Sequence, residues 1–395
     1  MVLWQRWYLK DNPYDPNPIG EDSLDLFVGR KIEVQMLQGF CIEDGITAYL
    51  EGPRGIGASS LGNFVRYGFM QRKIYFTHYG EISLPANLCC YCAAANLLAA
   101  LSWSLRQKHP HISRDPEFLD HEIKIKDFII EHGKVCHDRA RKIPYAGLEY
   151  EYMFLFRKTV DFVCKLGYQA GLIVQLESSS LSLDSDDETA HNFMLGLCDF
   201  FKLSDYRWLL AGNHNFGEML NKHAGFMKSG SLARINLDPI PLKEIEEILQ
   251  RRKDVFSLNG ESKLPISSEV IQYLYAVTSG NIRNILMLCT RAALFLETDH
   301  TVSELKLDSA KYVFKKIYQD RLHEKNLTQL PSQVLTLIVR EGNLSAGDIA
   351  KRLERHPCSI SRALSELVAN DLIQGRKSGR HRIYSPLMGA QLAWA

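Results

Sequence analysis

The stretch Tyr49-Leu-Glu-Gly52-Pro-Arg-Gly-Ile-Gly57-Ala58-Ser59-Ser60 decides how the rest of this chain is read. It follows the phosphate-loop spacing G-x-x-x-x-G-K-[ST], with Ala58 standing in the lysine slot. Ile46-Thr-Ala-Tyr-Leu50 before it reads as a short buried strand, and Leu61-Gly-Asn-Phe-Val-Arg-Tyr67 after it as a helix. Strand, glycine loop and helix in that order put the first helical amides where an anion would sit. Gly52, Gly55 and Gly57 permit the tight loop, with Pro53, Arg54 and Ile56 between them. Ser59 offers a hydroxyl to a magnesium ion, and Ser60 follows it in the helix.

The absent ammonium is the group that would reach the β- and γ-phosphates of a nucleotide and offset charge during transfer. Losing a charge-assisted contact costs about 1.5–3 kcal/mol, roughly tenfold to a hundredfold in affinity. The loop therefore predicts weak nucleotide binding, with hydrolysis slow or absent. A naturally degenerate site and a deliberately disabled one read alike at position 58.

The 395 residues suffice for two or three domains, and a formal net charge of +1 makes no whole-chain case for nucleic acid. Any such case must come from local patches. Nine cysteines are scattered, and Cys89 with Cys92 forms a lone CxxC that no second pair completes as a zinc site. With no cleavable signal and no cysteine framework, the expected compartment is a reducing cytoplasm. Residues 88–105 are almost continuously apolar or small, but Asn96, Ser102 and Ser104 and the preceding strand mark a buried core helix rather than a membrane span.

Along the chain, Asp11-Asn-Pro-Tyr-Asp-Pro-Asn-Pro18 signals an extended lead-in over 1–25. A helix opens after Phe27-Val-Gly-Arg30. Beyond the loop, strands at 73–78, 171–176 and 206–211 alternate with helices at 88–106, 116–137, 147–166 and 188–202. That alternation predicts a three-layer α/β domain with a largely parallel sheet, spanning 26–238. The acidic cluster Asp184–Glu188 reads as a solvated loop and helix start. His109, His111, His121, His132 and His137 lack ligand spacing and read as solvated surface residues. Helical periodicity then takes over from 239 to 322, and 329–395 has a separate character.

In order, the chain shows Phe27-Val-Gly-Arg30 with Glu33, the degenerate loop, a strand ending in Glu177, and Asn213 closing the next strand. After them come Ala233-Arg-Ile-Asn-Leu-Asp-Pro-Ile-Pro and Ser279-Gly-Asn-Ile-Arg283. This succession, over about residues 20–320, resembles AAA+ ATPases of the branch holding origin-recognition initiators, transposon target selectors and STAND-type proteins. The resemblance implies ATP or ADP with Mg²⁺ as cofactors. It makes Phe27, Val28, Gly29 and Arg30 the adenine pocket and residues 52–60 the phosphate cradle. Ser59 and Glu177 become magnesium-ordering groups, Asn213 a γ-phosphate sensor and Arg283 an arginine reaching the nucleotide from a helical lid. Where the family ends its second acidic strand in Asp-Glu, this chain has Glu177-Ser178, or Leu176-Glu177 if the alignment slides by one; either way one carboxylate is missing. Arg234 is a candidate for acting on a neighbouring subunit. Taken singly, Glu177 reads as a loop carboxylate, Asn213 as a turn residue and Arg283 as a helix-surface charge.

The last segment makes a separate argument. Helices are expected at 332–340, 345–354 and 359–369, then two short strands around Arg376-Lys-Ser-Gly-Arg380. Three helices and a hairpin resemble a winged helix-turn-helix of bacterial regulators, which implies Ser359, Ser361 and Arg362 near bases or phosphates. Arg376, Lys377, Arg380 and Arg382 would grip the duplex backbone or minor groove. From 330 to 395 there are nine Lys/Arg against five Asp/Glu, a local basic excess that favours DNA over a protein partner.

The leading expectation is an ATP-dependent, DNA-binding homo-oligomer serving replication initiation, transposition targeting or mobile-element defence, with an effector or recombinase protein as a further partner and no membrane. The alternatives are a winged-helix transcription regulator or adaptor with a vestigial nucleotide domain, and a STAND-type oligomerising sensor.

Overall fold

The computed structural model describes residues 3–137, 148–178, 187–224, 232–297, 303–378 and 381–394. The chain divides into two compact units, residues 17–240 and residues 1–16 joined by 241–395.

The first unit contains α1 (Lys31–Ile42), β1 (Thr47–Glu51), α2 (Ala58–Gln71), β2 (Phe76–Thr77), β3 (Ile82–Ser83), α3 (Cys90–Lys108), α4 (Pro116–His137) and α5 (Leu148–Lys165). It continues with β4 (Leu172–Glu177), α6 (Asp187–Phe201), β5 (Tyr206–Gly212), α7 (His214–Ala224) and β6 (Leu232–Asn236). The strands lie in the order β2-β4-β5-β1-β6, all parallel, with β3 also pairing β4. Burial on both faces explains why β1, β4 and β5 read as nearly unbroken apolar runs.

Alternation within each strand sends side chains to two separate cores. Leu50, Ile173 and Leu209 pack beneath α1 and α2 with Leu37, Leu61, Val65 and Phe69. Tyr49, Val174, Leu176, Trp208 and Leu210 face α3–α7 with Leu98, Phe118, Phe156, Phe193 and Phe216. This is the three-layer α/β arrangement of a P-loop domain, and β5 lies between the strand that feeds the loop and the strand that ends in Glu177.

The expected strand at 73–78 is cut to Phe76–Thr77. Past Thr77 the chain leaves the ladder, and the fully buried His78 presents Nε2 to the Gln175 N–H at 3.0 Å. An imidazole thus takes the place of a backbone carbonyl until β3 resumes the pairing at Ile82↔Leu176. The lone pair must stay unprotonated for this, and burial does push the His78 pKa well down.

Two histidines depart from the expected solvated surface. His121 is buried with Nε2 3.0 Å from Thr159 Oγ1, and burial lowers its pKa to about 4. His109 is partly buried against Tyr168. The side chains of His132 and His137 lie outside the described residues, as do residues 184–186 of the acidic cluster and the side chains of Asp187 and Glu188, which open α6. No described helix is long and apolar enough to cross a membrane, and α3 is a core helix with Leu97, Leu98, Leu101 and Leu105 buried.

The second unit holds the lid helices α8 (Leu242–Phe256), α9 (Ser268–Thr278), α10 (Ile282–Glu297) and α11 (Leu307–Glu324). Residues from the N-terminal end of the chain pack with them. Trp4, Trp7 and Tyr14 are buried; Trp7 Nε1 donates to Ser303 O (2.7 Å), and Arg252 donates to Asp15 O (2.8 Å). A winged helix-turn-helix follows: α12 (Gln329–Glu341), β7 (Leu344–Ser345), α13 (Ala346–Arg352), α14 (Pro357–Ala369), β8 (Ile373–Ser378), β9 (His381–Pro386) and α15 (Met388–Trp394). The three strands form an antiparallel sheet in the order β7-β9-β8. Ser345 starts α13 with a capping box: its Oγ accepts the Asp348 N–H while the Asp348 carboxylate accepts from Ser345 N–H (3.2 Å each). Helix α15 packs against α11, with Ala390, Leu392 and Ala393 buried.

Candidate nucleotide site and nucleic-acid interface

Loop 52–57 joins the end of β1 to the start of α2. Gly55 and Gly57 sit at φ +88° and +99°, a region that a side chain disfavours. Gly57 is the helix cap and, lacking a side chain, makes no side-chain cap hydrogen bond to the first turn of α2. The amides of Gly57, Ala58, Ser59 and Ser60 precede the first helical hydrogen bond, Leu61 N–H to Gly57 O at 3.0 Å. By contrast Cys89, Ser345 and His356 each cap their own helix with a side chain. The N-terminus of α2 is thus left with donors and a positive dipole end, which an anion would satisfy.

Arg30 holds this loop from behind. Its Nη2 donates to Ile56 O (2.9 Å) and Asp238 O (2.8 Å), and Nη1 meets Glu33 at 3.0 Å. The guanidinium is buried in these contacts, so it acts on the loop through the Ile56 carbonyl. Phe27 stacks on Phe64 with centroids 4.3 Å apart, while Val28 and Gly29 are partly exposed beside it.

Glu177, at the end of β4, is brought to the start of α2 although 118 positions separate it from Ser59. The Ser59 hydroxyl hydrogen-bonds its carboxylate, and Gln175 Nε2 donates to Oε1 at 2.7 Å. Burial raises the Glu177 pKa, a rise that the bonds from Gln175 and Ser59 and the nearby Arg66 oppose. A serine hydroxyl paired with a buried carboxylate at the mouth of a phosphate loop is a donor set of hard oxygens, and it fits Mg²⁺ bound partly through phosphates. Gly62 is needed for this pairing, since a Cβ there would meet Gln175 Oε1 at 2.0 Å. Ser178 is buried next to Glu177, so the position beyond Glu177 offers a hydroxyl and no carboxylate. No group of three or more His, Cys, Asp or Glu able to hold a metal occurs among the described residues.

Asn213 follows β5 between the two strands and is exposed. Its Oδ1 accepts the Phe216 N–H (3.1 Å), capping α7, and its carbonyl accepts from Tyr49 Oη. Beside it, His214 Nδ1 lies 2.8 Å from Glu51, the residue before Gly52, and Arg234 closes an ion pair with the same carboxylate. Arg234 is thus paired within the chain. Arg283 lies in the first turn of α10, behind the Asn281 cap that accepts the Asn284 N–H at 3.1 Å. It is half-buried and makes no hydrogen bond or ion pair among the described residues.

Sequence reasoning overlooked Gln175 and the Glu51–His214–Arg234 cluster. A signal for two of them existed: Gln175 and Glu51 are polar residues inside otherwise apolar strands, and buried polar groups need partners. Nothing local marks His214.

On the winged module, Ser359, Ser361 and Arg362 are exposed along the first two turns of α14, which begins with His356 Nδ1 accepting the Cys358 N–H at 3.3 Å. Ile360, Ala363, Leu364 and Leu367 face the core instead. In the hairpin, 376 pairs with 383 and 377 with 382, so strand alternation puts Arg376 and Arg382 on opposite faces of the ribbon. The sequence treated them as one basic fork. Arg382 lies across Gly375 and near the Tyr384 ring, 5.7 Å from its centroid. Arg380 and the side chain of Lys377 lie outside the described residues.

No protein-family model matches the chain, and no curated protein is recognisably similar in sequence. Solved structures of similar course include the Aeropyrum pernix ORC1 protein in complex with DNA, at 15% identity over 98% of this chain and 95% of that one, with a TM-score of 0.48. The Aeropyrum pernix ORC2 protein in its ADPNP–ADP complexes gives 13%, 98%, 96% and 0.49. A Walker-type ATPase of Pyrococcus abyssi gives 12%, 97%, 100% and 0.47.

Proposed function

We propose that this chain binds ATP or ADP with Mg²⁺ in the cradle of residues 52–60 and binds double-stranded DNA through α14 and the β8–β9 wing. The single observation that carries the nucleotide half is the Ser59–Glu177 hydrogen bond at the side-chain-uncapped N-terminus of α2. It joins a hydroxyl and a carboxylate on separate elements where a magnesium-bound phosphate would need both. Phe27 to Arg30 frame the base, Asn213 and Arg283 respond to the phosphates, and Ser359, Ser361, Arg362, Arg376, Lys377, Arg380 and Arg382 meet the duplex.

Ala58 and Ser178 both argue for slow or absent hydrolysis, so nucleotide acts in this reading as an assembly switch for a homo-oligomer. The order of motifs suits replication initiation, transposition targeting or mobile-element defence, in a cytoplasmic setting and with an effector or recombinase as a further partner. A second reading, a DNA-binding regulator with a vestigial nucleotide domain, is favoured by one fact. Asn213 Oδ1 is already used as a helix cap.

Ala58→Lys tests between them. It is expected to raise ATP affinity about tenfold to a hundredfold and to shift the oligomer size on a sizing column when ATP is added. If calorimetry finds no ATP binding to either protein, the nucleotide half of the proposal is wrong.

A further inference from the structure

Where α11 passes into the winged module, the fold leaves a cavity of about 540 Å³, a volume suited to a small molecule. Lys315, Gln319 and Leu322 line it from α11 at spacing i, i+4 and i+7, one face of the helix. The far wall is Ala393 of α15, which is buried. That wall is fixed against α11, since a Cβ on Gly389 would meet the Tyr318 ring at 3.3 Å. Between the two helices, Leu327 adds apolar surface and Ser332, in the first turn of α12, adds a hydroxyl. The Ser332 N–H is bonded to Thr328 O (3.1 Å), but its hydroxyl makes no hydrogen bond among the described residues.

Charge decides what such a cavity would take. Among its described lining residues Lys315 is the one charged group. It is half-buried, and it makes no hydrogen bond or ion pair among the described residues. One turn earlier on the same helix, Lys311 lies over the Tyr273 ring, 5.5 Å from its centroid. In the other unit Lys108 and Lys165 each meet a glutamate. An ammonium drawn partly out of water is costly unless an opposite charge meets it. Lys315 has the cost without the partner, on the wall of a space large enough to admit one.

We propose that this cavity binds a small organic anion, a carboxylate or phosphate head group on an apolar body. The head group meets Lys315 in a charge-assisted contact, with the Gln319 amide and the Ser332 hydroxyl as neutral partners. The body lies against Leu322, Leu327 and Ala393. The site belongs to the second unit and does not depend on the nucleotide reading, whose cradle lies in the first. Because α11 is a lid helix while α12 and α15 belong to the winged module, a ligand there touches both and adds to the packing of α15 on α11.

The test titrates the full chain with benzoate, phenyl phosphate and benzyl alcohol, the last an uncharged molecule of similar size. Calorimetry gives the affinities, and the rise in melting temperature reports binding to the folded state. One of the two anions is expected to bind the parent at least about tenfold more tightly than benzyl alcohol, and the tighter anion names the head group. Lys315→Met keeps an unbranched stem and removes the charge. It should melt like the parent without a probe and bind the anions no better than benzyl alcohol, whereas Lys315→Arg should retain most of the affinity. Lys316→Ala, at the exposed neighbouring position, should bind like the parent. Equal binding of the anions and benzyl alcohol to the parent overturns the proposal, and that comparison needs no variant to fold. Anion binding that survives Lys315→Met places the anion elsewhere and overturns it too, as does failure of the parent to bind either anion.

Discussion

The two units spend arginine in opposite ways. In the α/β unit Arg30, Arg66 and Arg207 are buried, and each is wrapped by backbone carbonyls and one to three side chains. In the winged module Arg362, Arg376 and Arg382 are exposed, and Arg362 and Arg376 make no hydrogen bond or ion pair among the described residues. Composition counts these residues alike. Their surroundings make the first set part of the architecture and the second a charge reserved for something outside the chain. A buried guanidinium is tolerable only when its donors are matched, and once matched it has little left for a ligand. An exposed one costs nothing to keep and loses little to solvent until a phosphate replaces the water.

Three measurements would break or sharpen that contrast. The largest effect is expected from Arg66→Ala, which strands the acceptors around Thr77, His78 and Gly80. Denaturant unfolding should show a loss of about 3–5 kcal/mol; a loss below about 1 kcal/mol would mean that the buried network is not the brace described here. Next comes replacement of Arg362, Arg376 and Arg382 together by alanine. Melting should be unchanged, while duplex affinity falls about a hundredfold at low salt and the slope of log affinity against log salt shrinks by about 2–3. An unchanged slope would remove these side chains from the DNA contact.

The smallest effect is expected from a buried histidine. His121 has a folded pKa of about 4, against about 6.5 when unfolded. Between those values the unfolded state binds more protons, so the contribution is complete above about pH 6.5 and is lost as pH falls towards 4. His78 is displaced in the same direction by burial. From His121 stability should drop by on the order of 2 kcal/mol across that window, and His121→Gln should flatten the profile.

Much of the fold was legible because its signals are local. The helix expected at 116–137 is α4, and the strand expected at 206–211 extends one residue further as β5. What failed depended on partners remote in sequence. No local pattern says that an imidazole at position 78 will interrupt β2, or that 232–236 will be drawn into the sheet as β6 beside β1. At the candidate site, Ser59 was legible from spacing. Gln175, the residue that orients Glu177, was not read out of an otherwise apolar strand. The hairpin cations were legible as residues, but their division between two faces depends on a register that only pairing sets.

By itself the amino-acid sequence determined the strand–glycine loop–helix unit, the absence of a cation at position 58 and the basic excess near the end, because each is a matter of neighbouring residue types. Tertiary structure alone decided which side chains remain available. It buried Arg30 and Arg66, tied Arg234 to Glu51, and carried Ser59 to Glu177 across strands that are not adjacent in the sheet. Those outcomes are set by burial and by long-range hydrogen bonding, and neither has a signature within a few residues of chain.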